Sequence, residues 1–215
     1  MDPAEIVAAL QILPFRGYDD LAARSSTAPP QNHGLYARWQ SAGALPGVHG
    51  TPHPEDSGFE LLYVRTAPKD ATSKSNLRTR LGNHHRAAIG SSTFRLDLTT
   101  FLWQVQGWRP GWTDRPKLPD DDIAALAEWQ RKHLHVQWVE VPKPWDAEKA
   151  VVHAMRPCST ATTTSTTPLT PGSATPATAC AVQRVVTRCR ALGWPARPEG
   201  RVGDRAARRL LSPLG

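Results

Sequence analysis

The sequence has little cysteine, and its three cysteines all lie late in the chain. Cys158, Cys180 and Cys189 have neither the spacing of a metal cluster nor the even count of a disulfide framework. No segment approaches the length of a membrane-spanning helix, which needs about 18 consecutive apolar residues. The first residues are acidic and lack the layout of a secretory signal. These absences predict a reduced, cytoplasmic protein that is not embedded in a membrane.

The composition shows an excess of positive charge. The 215 residues include 26 lysines and arginines against 19 acidic residues, which gives a formal net charge of +7. A chain of this length is enough for one ordinary domain with a good-sized core. The charge favours a polyanionic partner such as nucleic acid or an anionic membrane surface, although many basic proteins bind no anion.

Hydrophobic periodicity and turn residues predict the order of helices and strands. Asp2, Pro3 and Glu5 are typical of a capped first helix, which must end before Pro14. A linker follows to about residue 32. The pattern then predicts strands over 34–39, 59–66 and 135–141, and helices from residue 76 and over 93–103, 120–133 and 146–155.

The character of the sequence changes after Pro157. The stretch CSTATTTSTTPLTPGSATPATAC has no helical or strand period, and basic residues follow it. This composition predicts a low-complexity, disordered basic tail. We therefore divide the chain into an N-terminal helix and linker (1–32), a folded domain (33–157) and a tail (158–215).

Four short segments occur in a characteristic order within the folded domain. They are GLY at 34–36, YVR at 63–65, LRTRLGNHH at 77–85 and an acid within WDAEKAVV at 145–152. Together they resemble the GIY-YIG nuclease superfamily, and the segment from Leu77 to Leu98 is similar to a bacterial branch of it. The resemblance implies a small α/β (α+β) domain with a three-stranded antiparallel sheet flanked by helices. It also implies a metal-dependent endonuclease that acts on DNA.

The resemblance implies roles for five residues. Tyr36 and Tyr63 would activate or position the attacking water, Arg80 would contact the phosphate, and His84 would assist one turn further on. Glu148 would hold one divalent ion, Mg²⁺ or Mn²⁺, and no small-molecule cofactor is expected. The spacing agrees with this, because residues 80 and 84 share a helical face and one carboxylate with several waters suits Mg²⁺.

Each of these residues also has an ordinary structural interpretation. Tyrosines in strands usually pack, with the hydroxyl at the edge. Basic residues on a helix are often only a solvated face. Trp108 and Trp112, in the loop after the second predicted helix of the domain, are the tryptophans that could stack on a base.

Three further arginines, Arg65, Arg78 and Arg86, are candidates for nucleic-acid binding. Arg65 stands where the resemblance implies glycine, so it either donates to a phosphate or blocks the site. We expect steric damage to cleavage, with binding retained. The alternative function is therefore a catalytically impaired nucleic-acid-binding module, and a protein-interaction domain is a third hypothesis.

The tail is the second departure from the family. The resemblance implies an asparagine-bearing segment after the last helix, where this chain has the threonine-rich run near Thr160. A reading-frame shift in the gene is one hypothesis for this abrupt change. It predicts an amphipathic, asparagine-bearing segment in another frame, and its absence from both other frames would rule the hypothesis out.

Overall fold

The computed structural model describes residues 1–157 except 13, 23–26, 86–88, 90–91 and 113–115. The predictions for the tail and for Arg86 lie outside the described residues. The helices are α1 (Pro3–Ala9), α2 (Leu77–Gly82), α3 (Thr93–Leu102), α4 (Asp120–His133) and α5 (Pro144–Met155). The strands are β1 (Gly34–Ser41), β2 (Phe59–Ala67), β3 (Gly111–Trp112), β4 (Pro116–Lys117) and β5 (Leu134–Glu140).

The main sheet has three antiparallel strands in the order β2-β1-β5. This confirms the predicted three-stranded antiparallel sheet with flanking helices. β1 is the central strand, so its backbone pairs on both sides. A register shift between Arg38 and Trp39 interrupts the pairing of β1 with β2. β3 and β4 form a separate two-stranded ribbon that the sequence did not predict.

Alternate residues of β1 serve two different layers. Leu35, Ala37 and Trp39 pack in one core with residues of α1 and α5. Tyr36 faces the opposite side, where it packs with α2. Burying an apolar side chain of this size stabilises the fold by about 1.5–3 kcal/mol, so the α1–α5 layer holds the strand that positions Tyr36.

A second core forms between α3, α4 and the start of β5. It contains Phe94, Leu98, Leu126 and Leu134. Trp108 belongs to this core and is only 5% exposed, so the hypothesis that Trp108 stacks on a base is wrong.

Local sequence explains where several helices begin. Asp2 accepts from the backbone of Ala4 and Glu5 at 2.8 and 2.9 Å, which confirms the predicted capping box. The side chain of Asn76 caps α2 by accepting from Thr79 N at 2.8 Å. α5 begins at Pro144, two residues before the prediction, because proline suits the first helical position.

The glycine of the first motif stands at a crowded junction. A Cβ at Gly34 would lie 2.1 Å from the Val139 carbonyl oxygen of β5 and 2.8 Å from Leu77 Cδ1 of α2. No side chain fits there without moving backbone. Gly34 therefore lets β1, β5 and α2 approach one another next to Tyr36.

Within the described part of the chain, every helix is too short or too polar to cross a bilayer.

Candidate active site

The register of β1 and β2 brings the two tyrosines together on one face. Tyr36 on β1 pairs with Arg65 on β2, and two residues further along β1, Arg38 pairs with Tyr63. The tyrosines are therefore diagonal neighbours, and their ring centroids lie 6.1 Å apart. The sequence placed both residues in strands but left this register open.

Tyr36 is fully buried. Its hydroxyl has no hydrogen bond of normal geometry. Burial raises the pKa of Tyr36 well above its ordinary value, and nearby Tyr63 adds to this rise. The charge of Arg80 opposes the shift without reversing it. Tyr36 is therefore a protonated phenol at neutral pH.

Arg80, in the last turn of α2, supplies a positive charge beside both tyrosines. Burial alone would lower the pKa of Arg80, but Tyr36 and Tyr63 raise it by more, so the net change is upward. Arg80 is thus a permanent cation in a partly desolvated position. Such a position strengthens its interaction with any anion that enters.

His84 reaches the same site by a different backbone path from the one predicted. α2 ends at Gly82, and His84 lies in the 3₁₀ turn Asn83–His85 that follows. Its buried ring lies 6.0 Å from the Tyr36 ring and 4.9 Å from the Phe94 ring, measured between centroids. Arg80 and His84 still line one pocket, although not as two residues of one α-helical face.

The pocket beside these residues is small, about 40 Å³, and no acidic side chain is among the described residues that line it. One wall is the beginning of α3, where the Ser92 side chain accepts from Arg95 N at 3.3 Å. Helix N-termini favour negative charge. The pocket is therefore electropositive. It is lined by Tyr63, Arg80, Asn83, His84, Ser92, Thr93 and Phe94.

Arg65 connects the second tyrosine to the last helix. Its Nε donates to Tyr63 Oη at 3.3 Å, and its guanidinium carbon lies 5.4 Å from the centroid of the Tyr63 ring. Its Nη1 lies 3.7 Å from Glu148 Oε1, with the two side chains 47% and 27% exposed. Burial lowers the pKa of Arg65, whereas Tyr63 and Glu148 raise it above its ordinary value.

The donor set around Glu148 suits only a mostly hydrated ion. Among the described residues, no group of three His, Cys, Asp or Glu side chains could hold a metal. Glu148 offers one partly exposed carboxylate, and Mg²⁺ commonly keeps several waters when protein carboxylates are few. The carboxylate therefore fits such an ion, although the Arg65 guanidinium competes for it.

Of the other two candidate arginines, Arg86 lies outside the described residues and Arg78 has a clear partner. Arg78 Nε donates to the carbonyl oxygen of Pro29 at 2.8 Å, which ties α2 to the linker before β1. This bond gives Arg78 a structural role, and its contact with nucleic acid stays a prediction.

Sequence reasoning missed two buried arginines beneath the site. Arg38 and Arg95 are each 1% exposed, and both contact His84. One signal was available for Arg38. It follows Tyr36 by two residues in the same strand, so it had to face the same side as Tyr36.

Comparison with known proteins gives one family. The sequence model described as the GIY-YIG catalytic domain matches residues 50–164, which is more than half of the 215 residues. The match includes Tyr63, Arg80, His84 and Glu148 and begins after β1. Searches of curated proteins and of solved structures found no match.

Proposed function

The chain belongs to the GIY-YIG catalytic domain family of nucleases, and from this premise we propose that it is a DNA endonuclease dependent on Mg²⁺ or Mn²⁺. The observation that carries the proposal is the convergence of Tyr63, Arg80 and His84 on one electropositive pocket, with Tyr36 buried against Tyr63 and His84. Two strands, a helix and a 3₁₀ turn supply these residues, so only the folded chain brings them together.

Arg80 is the residue that we expect to bind the phosphate being cleaved. Attack of water on phosphorus adds negative charge to the phosphoryl oxygens in the transition state. A fixed cation in a partly desolvated pocket stabilises that charge more than it stabilises the ground state. The tyrosines at its side raise the pKa of Arg80 and so keep it protonated.

Of the two tyrosines, Tyr63 is the one that we expect to position the attacking water. Tyr36 is buried and held in its protonated form, so it does not act as a tyrosinate base, and we expect it to support the Tyr63 and His84 rings that it contacts. Tyr63 lies at the pocket wall, where its hydroxyl can meet a water or a phosphate oxygen.

Glu148 is the residue that would hold the divalent ion. When bound, such an ion polarises phosphoryl oxygens and lowers the pKa of a coordinated water. The chain contributes a carboxylate that lies beside Arg65, and Arg65 in turn donates to Tyr63.

A second candidate function is DNA binding without cleavage. The ion pair between Arg65 and Glu148 favours it, because the carboxylate already has a cation beside it. The basic pocket would remain able to bind a phosphate, so this candidate predicts strongly salt-dependent DNA binding.

Cleavage of supercoiled plasmid distinguishes the two candidates. The assay contains Mg²⁺ or Mn²⁺ with an EDTA control, and it compares the wild type with Glu148→Gln and Glu128→Gln. The second variant removes a charge at an exposed residue of α4 that is paired with Arg131. Nicking that requires metal and Glu148, but not Glu128, supports the nuclease. Intact plasmid with salt-sensitive DNA binding by the folded protein contradicts it and supports the binding module.

A further inference from the structure

A buried cation lies directly behind His84. Arg38 sits in the middle of β1, and its guanidinium carbon lies 5.1 Å from the centroid of the Phe94 ring. Its Nη2 lies 2.5 Å from His84 Nδ1. Burial lowers the pKa of Arg38 to about 10, so it still carries its charge at neutral pH. Among the described residues no carboxylate forms a salt bridge with it.

The chemistry of this contact determines the state of the imidazole. A guanidinium N–H can only donate, so His84 Nδ1 must accept and cannot carry a proton. A neutral imidazole with a bare Nδ1 carries its hydrogen on Nε2. A protonated ring would place two donors and two positive charges against each other in a buried site.

A second buried arginine holds the backbone of the same residue. Arg95 Nη1 donates to the carbonyl oxygen of His84 at 3.4 Å. His84 is thus held at its ring by Arg38 of β1 and at its carbonyl by Arg95 of α3. Rotation of the ring would break the bond to Arg38, so the orientation and the tautomer are fixed together.

We propose that Arg38 is a positioning residue that holds His84 in the Nε2–H tautomer, so that His84 meets a DNA phosphate as a hydrogen-bond donor. The part that concerns DNA rests on the proposed function; the tautomer does not. Any partner of Nε2 must then accept a hydrogen bond, as a phosphate oxygen does. His84 is therefore not the base that removes a proton from the attacking water.

Nitrogen NMR of the full chain tests the tautomer without DNA or metal. The ¹⁵N shifts and two-bond couplings of the imidazole distinguish Nδ1–H, Nε2–H and the doubly protonated ring. The chain has eight histidines, and the spectrum of His84→Gln identifies the signals of His84. The wild type should show a single Nε2–H form at neutral pH. An Nδ1–H or doubly protonated His84 would overturn the proposal.

Two substitutions of Arg38 separate positioning from packing. Arg38→Met keeps an elongated side chain but cannot donate, and His84 should then show a mixture of tautomers or a protonated ring. Arg38→Lys can still donate and should retain more of the Nε2–H form. Circular dichroism and thermal unfolding confirm that each variant is folded. A folded Arg38→Met with the wild-type tautomer would show that Arg38 does not fix it.

Substitution of His84 then tests the donor. The amide nitrogen of glutamine can occupy the position of Nε2, whereas that of asparagine lies nearer to Nδ1. If cleavage or DNA binding is measurable, His84→Asn should lose more of it than His84→Gln, by about tenfold or more. Equal losses would contradict the donor role. If neither variant loses cleavage or DNA binding, although wild-type His84 shows the Nε2–H tautomer, only the role of His84 toward DNA is contradicted.

Discussion

The guanidinium of Arg65 lies 3.7 Å from the carboxylate of Glu148. Arg65 occupies the position where the family motif has glycine. Arg65 is on the edge strand of the sheet, and Glu148 is on the helix whose apolar side packs against the opposite face from the tyrosines. The ion pair therefore links the Glu148 carboxylate to the tyrosine side of the sheet. It also places a positive charge where a divalent ion would bind.

Removal of the Arg65 side chain should tighten metal binding. Arg65→Met eliminates the competing positive charge, so we expect the affinity for Mn²⁺ to rise. The rise should be limited to about tenfold, because solvent strongly screens a half-exposed ion pair. Calorimetric titration or Mn²⁺ electron paramagnetic resonance measures this without DNA. Arg65→Gly should behave in the same way and also restore the glycine of the family motif.

Lys69→Met is the matched control for Arg65. It makes the same change of charge at an exposed residue that pairs with neighbouring Asp70. An equal rise in Mn²⁺ affinity for both variants would mean that net charge, and not the contact with Glu148, controls metal binding.

Loss of Arg80 should slow cleavage without unfolding the protein. Arg80→Ala removes the cation beside both tyrosines, and kcat should fall by about a hundredfold, the scale seen for removing one donor that stabilises the transition state. The measurement is single-turnover plasmid cleavage at saturating protein. A rate within twofold of wild type would remove Arg80 from the mechanism.

Arg78 offers the complementary variant on the same helix. Arg78→Ala breaks the bond to the Pro29 carbonyl, so it should lower the free energy of unfolding by about 1–3 kcal/mol. Its effect on kcat should be much smaller than that of Arg80→Ala. A large rate loss with unchanged stability would instead support the predicted contact of Arg78 with nucleic acid.

Tyr36 should make the folded protein sensitive to alkali. Its raised pKa means that the folded state keeps a proton that the unfolded state releases above about pH 10. This stabilisation is complete below that pH and declines above it, by up to about 1.4 kcal/mol per pH unit.

Comparison with Tyr36→Phe isolates this contribution. Arg38, with its pKa lowered to about 10, has the opposite slope in the same range and is present in both proteins. Urea unfolding at neutral and alkaline pH should show the variant gaining stability relative to wild type as pH rises. A constant difference would show that Tyr36 ionises normally in the folded state.

Gly34 should tolerate no larger residue. The Cβ of Gly34→Ala would lie 2.1 Å from a backbone carbonyl, so β1 and β5 must separate there. We expect a loss of roughly 3 kcal/mol or more in the free energy of unfolding, within the upper range for single substitutions. Thermal or urea unfolding measures this loss. Gly82→Ala is the control, because a Cβ there meets no atom within 4 Å, and it should leave stability almost unchanged.

The parts of the fold that follow from local patterns were predictable. The alternation in Gly34–Ser41 and the cap at Asp2 depend on neighbouring residues, so the sequence indicated both elements. The 3₁₀ turn after Gly82 was not indicated, because a helical period continues through it. As a result the sequence placed His84 on the helix of Arg80, when it lies beyond the helix end.

The contacts that define the candidate site join residues far apart in the chain. Arg38 and His84 are 46 positions apart, and Arg65, the partner of Glu148, lies on β2, which is separated from α5 by α2, α3 and α4. Register, burial and pairing arise only when the sheet and helices have packed. For this reason the resemblance named the site residues, whereas their ionisation states and partners came from the structure.

The division of β1 between two layers has a consequence for the evolution of this chain. Leu35, Ala37 and Trp39 pack in the core with α1 and α5, whereas Tyr36 and Arg38 face the candidate site. Selection for a stable fold and selection for the proposed activity are therefore expected to act on alternate positions of a single strand. Insertion or deletion of one residue within the strand would exchange the two sets, so the length of this strand is constrained as well as the identity of its residues.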